Sequence, residues 1–427
     1  MEFQGYQRSD GSVGTRNRVV VIPGGRCANE LATRIADGVP GVFALVHNQP
    51  CIHLKSDNQM ALRALTGMGQ NPNTAAALVV GLGCEGLSLE ELTEGILQTR
   101  KRVELLTIAK EGNYQAALEK GLRIAREMVA ETSLLKRQPF DLSHLTLGLK
   151  CGGSDATSAL ACNPVAGWAA DKIIAAGGRA LFTETAEIIG AEHILGKRAE
   201  DQKTAECLYA MVNRLEKRIR EAGVDIRGSE PTPGNIQGGL TTLEEKSLGA
   251  IAKSGSAPLR GVLEWAERPE GKGLFFMDGS ANTPQVTLGL AAAGAQVMTF
   301  GFGGGLPARF RYLPALSGGS LPILPTLKIL GNPMDAGEKE HFDTYVGTII
   351  EGKEGIAQAG EKLLQEILAV ASGKPTKLEA GEYGQPLPGS DGNLPNGPDL
   401  MNGEKARPKN HPPAARVSWA APSSGGR

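Results

Sequence analysis

Short apolar runs that end in glycine or a polar turn alternate with amphipathic stretches along most of this chain. Arg18-Val-Val-Val-Ile-Pro23 reads as a buried strand, followed by Gly-Gly and a helix from about Ala28 to Asp37. Val42-Phe-Ala-Leu-Val46, Ala76-Ala-Leu-Val-Val-Gly81 and Val103-Glu-Leu-Leu-Thr107 are further strand candidates with helical stretches between them. Strands alternating with helices belong to a parallel sheet covered on both faces. The spacing predicts a long amphipathic helix over Tyr114 to Lys136, then a linker at Arg137-Gln-Pro-Phe-Asp-Leu-Ser-His144. The second half repeats the scheme. Leu145-Thr-Leu-Gly-Leu149, Arg179-Ala-Leu-Phe182, Leu274-Phe-Phe-Met277 and Gln296-Val-Met-Thr-Phe300 read as strands. Helices are predicted near Ala166 to Ala176, Ala205 to Ala222 and Lys353 to Ser372. From about Gly381 the apolar periodicity stops and Gly, Pro, Asn, Ser and Lys dominate, which predicts a disordered tail.

Length turns this pattern into a domain plan. A chain of 427 residues exceeds one ordinary core. The expected fold class is α/β, with two Rossmann-like domains built on mainly parallel sheets, over 1–140 and 141–380, and the tail over 381–427. Aromatic residues make up only 4% while glycine reaches 57 residues, so packing rests on aliphatic side chains and close backbone approach. A formal net charge of −1 leaves no footprint for nucleic acid or a membrane surface, and favours a small polar substrate. No apolar run reaches the ~18 residues of a membrane span. The start of the chain lacks a signal-peptide pattern. The six cysteines are scattered without C-x-x-C spacing, as expected of a reduced, cytoplasmic protein.

Candidate chemistry gathers where predicted strands end, which is where open α/β sheets bind ligands. Gly148-Leu-Lys-Cys-Gly-Gly-Ser-Asp155 places Lys150, Cys151 and Asp155 around a glycine turn ahead of a helix near Ala156. Gly152, Gly153 and Ser154 would let backbone approach an anionic group at a helix N-terminus. Such a position favours a thiolate at Cys151, and Lys150 suits a substrate carboxylate. Ser154 or Asp155 would equally supply an ordinary N-cap. After the strand ending at Phe182 come Glu184, Glu187 and His193, a set fit for a general base or a divalent cation. If the two glutamates open a helix they share one face, and acidic residues also suit a helix start on electrostatic grounds alone.

In Pro233-Gly-Asn-Ile-Gln-Gly-Gly-Leu-Thr-Thr-Leu-Glu-Glu-Lys246, Thr241 or Thr242 reads as an N-cap with Glu245 as its capping partner. Capping leaves Asn235, Gly238 and Gly239 unexplained, and these fit a loop that cradles a carboxylate or phosphate. His47, Cys51, His53 and Asp57 form a compact set of potential ligands whose spacing matches no standard zinc site. Cys84 sits between glycines at a strand end. Cys27, Cys162 and Cys207 read as small hydrophobes. Gly301-Phe-Gly-Gly-Gly-Leu-Pro307 is a second glycine loop, without the Gly-Lys-Ser/Thr of a phosphate loop.

Taken together, the blocks resemble the altronate/galactarate dehydratase family. Besides those above, they include Gly5-Tyr-Gln-Arg-Ser-Asp-Gly-Ser-Val-Gly-Thr-Arg-Asn17, Asn71-Pro-Asn73, Gly81-Leu-Gly-Cys-Glu85, Asn163-Pro-Val-Ala-Gly167 and Lys253-Ser-Gly255. The resemblance runs to about Glu379. It implies a hydro-lyase that removes water from a sugar acid to give a 2-keto-3-deoxy acid, with dependence on Fe²⁺ or Mn²⁺. Such a reaction needs a base for the proton beside the carboxylate, stabilisation of the enediolate, and an acid for the departing hydroxyl. Lys150, Cys151, Asp155, Glu184, Glu187 and His193 are the expected catalytic set. Gly152, Gly153, Ser154, Asn235, Gly238, Gly239, Thr241 and Thr242 are expected to bind substrate. His47, Cys51, Cys84 and Cys151 are expected to bind metal, and if the three cysteines meet, an iron–sulfur cluster becomes an option.

Family chains often carry an N-terminal β-rich module before the Gly-Tyr-x-Arg block, where this chain starts. A separate small subunit supplying that module is therefore an expected partner, together with a homo-oligomeric state. The chain departs from the family pattern at Pro50, at Gly301-Phe-Gly-Gly-Gly305, where a carboxylate-binding arginine is lost, and at Met277-Asp-Gly-Ser-Ala281. These loops bear on substrate identity more than on reaction class. The rival readings are the large subunit of a (2R)-sulfolactate sulfo-lyase, against which Cys51 and Cys84 weigh, and a non-catalytic family member.

Overall fold

A computed structural model describes residues 1–49, 55–303 and 321–380. Cys51 and His53, the glycine loop beyond Gly303 and the tail expected from Gly381 lie outside the described residues.

The first half folds around a four-stranded parallel sheet. Its strands are β3 (Arg18–Pro23), β4 (Val42–Ala44), β5 (Thr74–Gly81) and β6 (Arg102–Thr107), in the order β4-β3-β5-β6. Alternation within the apolar runs loads both faces. Val19, Val21, Ala76, Leu78 and Val80 pack under the helices Asn29–Asp37 and Tyr114–Ser133, with Leu31, Ile35, Ala117, Ile124 and Met128. Val20, Ile22, Ala77 and Val79 point the other way, toward Leu65, Met68, Leu92 and Ile96 on the helices Lys55–Gln70 and Leu89–Leu97.

That second face does not stop at the helices. Its core continues into Leu181, Phe275, Met277, Leu290 and Met298 of the second half. The second half is a seven-stranded sheet, parallel at every pairing, built from β8 (Thr146–Gly152), β9 (Arg179–Phe182), β10 (Leu259–Leu263), β11 (Gly273–Met277), β12 (Val297–Phe302), β13 (Thr326–Leu330) and β14 (Thr344–Tyr345). The order is β10-β11-β9-β8-β12-β13-β14, which places β8 at the centre. The helices Asn163–Ala175, Gln202–Glu221 and Ile356–Ala371 cover its opposite face. Lys55–Gln70 meets the helix Thr283–Ala292 at Gly67, where a Cβ would stand 2.5 Å from the Ala292 carbonyl oxygen.

One predicted element differs. Within the expected linker, Gln138–Asp141 is strand β7, which pairs antiparallel with β1 (Glu2–Gln7), and β2 (Val13–Gly14) completes a three-stranded sheet. This strand is short, mostly exposed and contains Pro139, so no local pattern marks it; its partner lies at the start of the chain. The helix expected near Ala156 begins there and passes through a π-helical turn, Ser158–Cys162, into Asn163–Ala175.

The Asn71-Pro-Asn73 block ties the two sheets together. The Asn73 side-chain oxygen accepts from Thr15 N at 2.6 Å and Arg16 N at 3.0 Å, and its amide donates to the carbonyls of Gln296 at 2.8 Å and Ile323 at 2.9 Å. The Asn71 amide donates to the carbonyls of Ala291 and Ala295. Asn73→Ala would leave several buried backbone groups unpaired and is expected to lower stability by about 2–3 kcal/mol. The check is a lower urea midpoint at unchanged m-value.

Among the described residues no helix is long and apolar enough to cross a membrane.

Candidate functional site

The carboxyl end of β8 delivers Lys150 and Cys151 into the protein interior, and the turn after β9 brings Glu184 and Glu187 to meet them. Glu184 is not the first residue of a helix, as its spacing suggested. It has left-handed backbone angles, φ 84° and ψ 78°, and the 3₁₀ turn Thr185–Ile188 begins after it. A non-glycine residue held there stores of order 1–3 kcal/mol of strain. Its neighbour holds it in place. Thr185 N donates to the Gly279 carbonyl at 3.0 Å, and the Thr185 hydroxyl donates to Asp278 Oδ1 at 2.5 Å.

The result is a buried cluster of two carboxylates, two ammoniums and a thiol. Lys150 Nζ donates to Glu184 Oε1 at 2.6 Å. Lys253 Nζ donates to Glu187 Oε2 at 2.8 Å and to Cys151 Sγ at 3.3 Å, and lies 3.8 Å from Glu184 Oε2. The Cys151 thiol donates to Glu187 Oε2 at 3.5 Å. Every member is 6% exposed or less. Glu184 Oε2 accepts no hydrogen bond, an uncommon state for a buried carboxylate oxygen.

This environment drives the two carboxyls apart. Burial, then the neighbouring Glu187 charge, raise Glu184 to about 7 against the pull of Lys150 and Lys253. Burial also works against the charge on Glu187, but Lys253, Lys150 and Lys246 overcome it and hold Glu187 well below the usual carboxylate range. Desolvation and the Glu187 charge push the Cys151 thiol up to about 11, so it is a neutral thiol rather than the expected thiolate. A pair of carboxyls with separated proton affinities provides one permanent charge and one group able to exchange a proton near neutral pH.

Around this core the other predicted residues divide. Ser154 is buried, and its carbonyl accepts from the Asn235 amide at 2.8 Å, joining the glycine turn to the helix Pro233–Gln237. The Gly238 carbonyl accepts from Ala156 N at 3.4 Å, while Gly239 makes the following turn at φ +96°. Gly152 lies against Phe300, whose ring would stand 2.8 Å from an added Cβ, and Gly153 adopts φ +57°. Asp155 accepts from the Thr157 hydroxyl at 2.8 Å and Ser158 N at 2.7 Å, a capping arrangement. Thr242 caps the helix Leu243–Ile251, and the Glu245 carboxylate accepts from Thr241 N at 2.8 Å; both threonines are exposed. His193 is exposed on the helix Glu192–Lys197 and makes no hydrogen bond to the cluster.

Comparison with known proteins matches this architecture along nearly all of its described length. Residues 5–133 match the model for the second domain of D-galactarate dehydratase/altronate hydrolase, and residues 142–388 match the model for the C-terminal region of D-galactarate/altronate dehydratase. This chain belongs to that family. It is 37% identical to the (2R)-sulfolactate sulfo-lyase subunit beta of Chromohalobacter salexigens, over 88% of this chain and 94% of that one. It is 34% identical to the altronate dehydratase of Escherichia coli K12, over 90% of this chain and 76% of that one. For the L-threo-forming galactarate dehydratase of the same organism the identity is 30%, over 87% and 73%. These relatives of the altronate/galactarate dehydratase family are lyases by name.

Sequence reasoning gave no role to two lysines of this family member. Lys253 and Lys246 sit in quoted blocks, yet each finds its partners only through the fold. The Asn163-Pro-Val-Ala-Gly167 block now has a physical reason. Gly167 admits the turn that carries Lys253, because a Cβ there would stand 2.3 Å from the Ala252 carbonyl oxygen. The Asn163 amide donates to the Gly249 carbonyl at 2.8 Å and fixes the preceding helix.

The expected metal ligands do not assemble among the described residues. His47 is buried with Nε2 2.8 Å from the Pro23 carbonyl and Nδ1 accepting from Gln49 N at 3.2 Å. Cys84 is exposed, whereas Cys151 is enclosed by Glu187 and Lys253, and Cys51 lies outside the described residues. Among the described residues no three His, Cys, Asp or Glu side chains are placed to hold a metal ion. The members of this set among the described residues do not by themselves fit the implied cation, and no step below runs through one.

Proposed function

We propose that this chain is the large subunit of a lyase that takes the proton from the carbon beside a carboxylate and expels the group on the next carbon, acting on a sugar acid of the altronate or galactarate type to give a 2-keto-3-deoxy acid. The single observation that carries the chemistry is Glu184 Oε2, which accepts no hydrogen bond although it is buried in a cluster holding two ammoniums. Glu184 acts as the general base, since a carboxyl raised to about 7 is matched to proton exchange at neutral pH. Lys150 and Lys253 stabilise the negative charge that grows on the enediolate in a water-poor site. Glu187 keeps Lys253 charged and oriented.

A second reading is favoured by one observation. The chain is 37% identical to the relative named subunit beta of a (2R)-sulfolactate sulfo-lyase and covers 94% of it, against 34% and 76% for the altronate dehydratase. Expulsion of sulfite from (2R)-sulfolactate would use the same base and the same ammoniums. On either reading we propose that a smaller partner subunit completes the site. A cytoplasmic location, a homo-oligomeric state and an Fe²⁺ or Mn²⁺ requirement remain part of the proposal on the family resemblance alone.

The test is an anaerobic assay of the chain, alone and with a candidate small subunit, on a panel of sugar acids and sulfolactate. It reads 2-keto acid and sulfite separately. Keto-deoxy acid without sulfite is the expected result, sulfite selects the second reading, and neither product from any substrate sinks both. Elemental analysis of the purified chain, with activity before and after chelation, is expected to find iron or manganese and to lose turnover with it. Full activity from a metal-free chain removes the cation from the proposal.

A further inference from the structure

Lys150 and Lys253 have committed their charges to buried glutamates, but Lys246 has not. It projects from the helix Leu243–Ile251 at the border between cluster and solvent, with its side chain 8% exposed. Its ammonium donates to Glu230 Oε2 at 2.5 Å and to Asn235 Oδ1 at 3.2 Å. Burial disfavours that charge, and the carboxylates of Glu187 and Glu230 outweigh burial, so the group stays an ammonium. On its inner side Lys246 lies near enough to Glu187 to help hold that carboxyl ionised. On its outer side Glu230 is 22% exposed and lies between the turn Ile226–Gly228 and the helix Pro233–Gln237. Asn235, bonded to the Ser154 carbonyl, fixes this ammonium beside the glycine turn.

We propose that Lys246 is a specificity-determining residue that receives the anionic end of the substrate, and that the Glu230 carboxylate occupies this position until the substrate displaces it. The inference rests on the function proposed above and adds a binding role that the reaction chemistry does not require. Exchange of one carboxylate for another on the same ammonium leaves the charge balance intact. Glu230 is the carboxylate able to leave, because its partly exposed side chain regains water when it swings out. Glu184 and Glu187 have no such route, being buried on all sides. A neutral polyol cannot make this exchange, so the site selects for acids. Competition from Glu230 lowers apparent affinity by the fraction of molecules in which it is bound.

The test is calorimetric titration of the full chain with tartrate, a hydroxy-dicarboxylate probe, in wild type, Glu230→Gln, Lys246→Met and Lys246→Arg. Glu230→Gln is expected to tighten binding by roughly 3–10-fold through loss of the internal competitor. Lys246→Met is expected to weaken it about 10-fold or more through loss of a charge-assisted contact, with Lys246→Arg recovering most of that loss. Where turnover is measured on a sugar acid, both effects should appear in KM with kcat little changed. Affinities within twofold across all four proteins, or no tartrate binding even by Glu230→Gln, overturn the inference. Keto acid formation with affinity indifferent to these substitutions overturns it alone. Absence of any product overturns the proposed function instead.

Discussion

Glu184→Gln is expected to lower kcat by roughly 10²–10⁴-fold, the contribution of a positioned general base, while leaving the fold intact. The amide oxygen can still accept from Lys150, whose ammonium now stands 2.6 Å from Glu184 Oε1. The other carboxyl oxygen has no hydrogen bond to lose. In the wild-type chain kcat/KM should rise with pH through about 7, where Glu184 gives up its proton, and this limb should vanish in the variant. Stability gives an independent reading of the same proton. The folded-state affinity of Glu184 lies above its ordinary value of 4.5, so its contribution to stability is full below about 4.5 and is lost as pH rises through about 7. Glu187 has the opposite sign: it contributes above 4.5 and loses that contribution only as the solution becomes strongly acidic. The stability of wild type minus that of Glu184→Gln should therefore decline between these two pH values. Activity within a few fold of wild type, or a flat difference curve, rules out Glu184 as the proton-exchanging group.

The parts of this structure legible in the sequence are those fixed by near neighbours. Val19 to Ile22 and Ala76 to Val80 announce strands because each face of a two-sided sheet demands an apolar residue. Thr242 and Glu245 announce a helix start because both halves of the capping arrangement lie within a few residues. Lys150, Cys151, Glu184 and Glu187 are visible as candidates because they follow buried strands among small residues. Their arrangement is not visible. The left-handed backbone of Glu184 replaces an expected helical face, and it depends on Gly279 and Asp278, which arrive from β11. Lys253 meets Glu187 across 66 residues of chain and Cys151 across 102. No periodicity or cap encodes a contact of that range. Strand β7 is hidden for the same reason, since its partner β1 comes from the far end of the chain. His193 shows the converse case: chemistry suited to a site, close in sequence to members of the cluster, but exposed on the helix Glu192–Lys197.

Lys253→Met is expected to lower stability by about 3–5 kcal/mol at neutral pH, because it leaves a buried charge without its partner. Glu187 is the group exposed to this loss, with Lys253 Nζ 2.8 Å from its Oε2. Without that ammonium the Glu187 carboxyl should rise toward protonation. A raised folded-state affinity contributes stability at low pH and loses it as pH increases, so the variant should be least impaired in acid and most impaired above neutrality. Activity should fall with the same substitution, because the enediolate loses an ammonium and Glu184 loses a charge 3.8 Å from its Oε2, which accepts no hydrogen bond. A double variant separates the two consequences. Adding Glu187→Gln removes the stranded charge, so Lys253→Met/Glu187→Gln should regain much of the lost stability while remaining inactive. The two substitutions should then be strongly non-additive in urea unfolding, as expected of groups in contact. Additive losses would mean that Lys253 and Glu187 do not compensate one another. A double variant restored in both stability and turnover would confine Lys253 to a structural role, leaving Lys150 as the ammonium that opposes the growing negative charge.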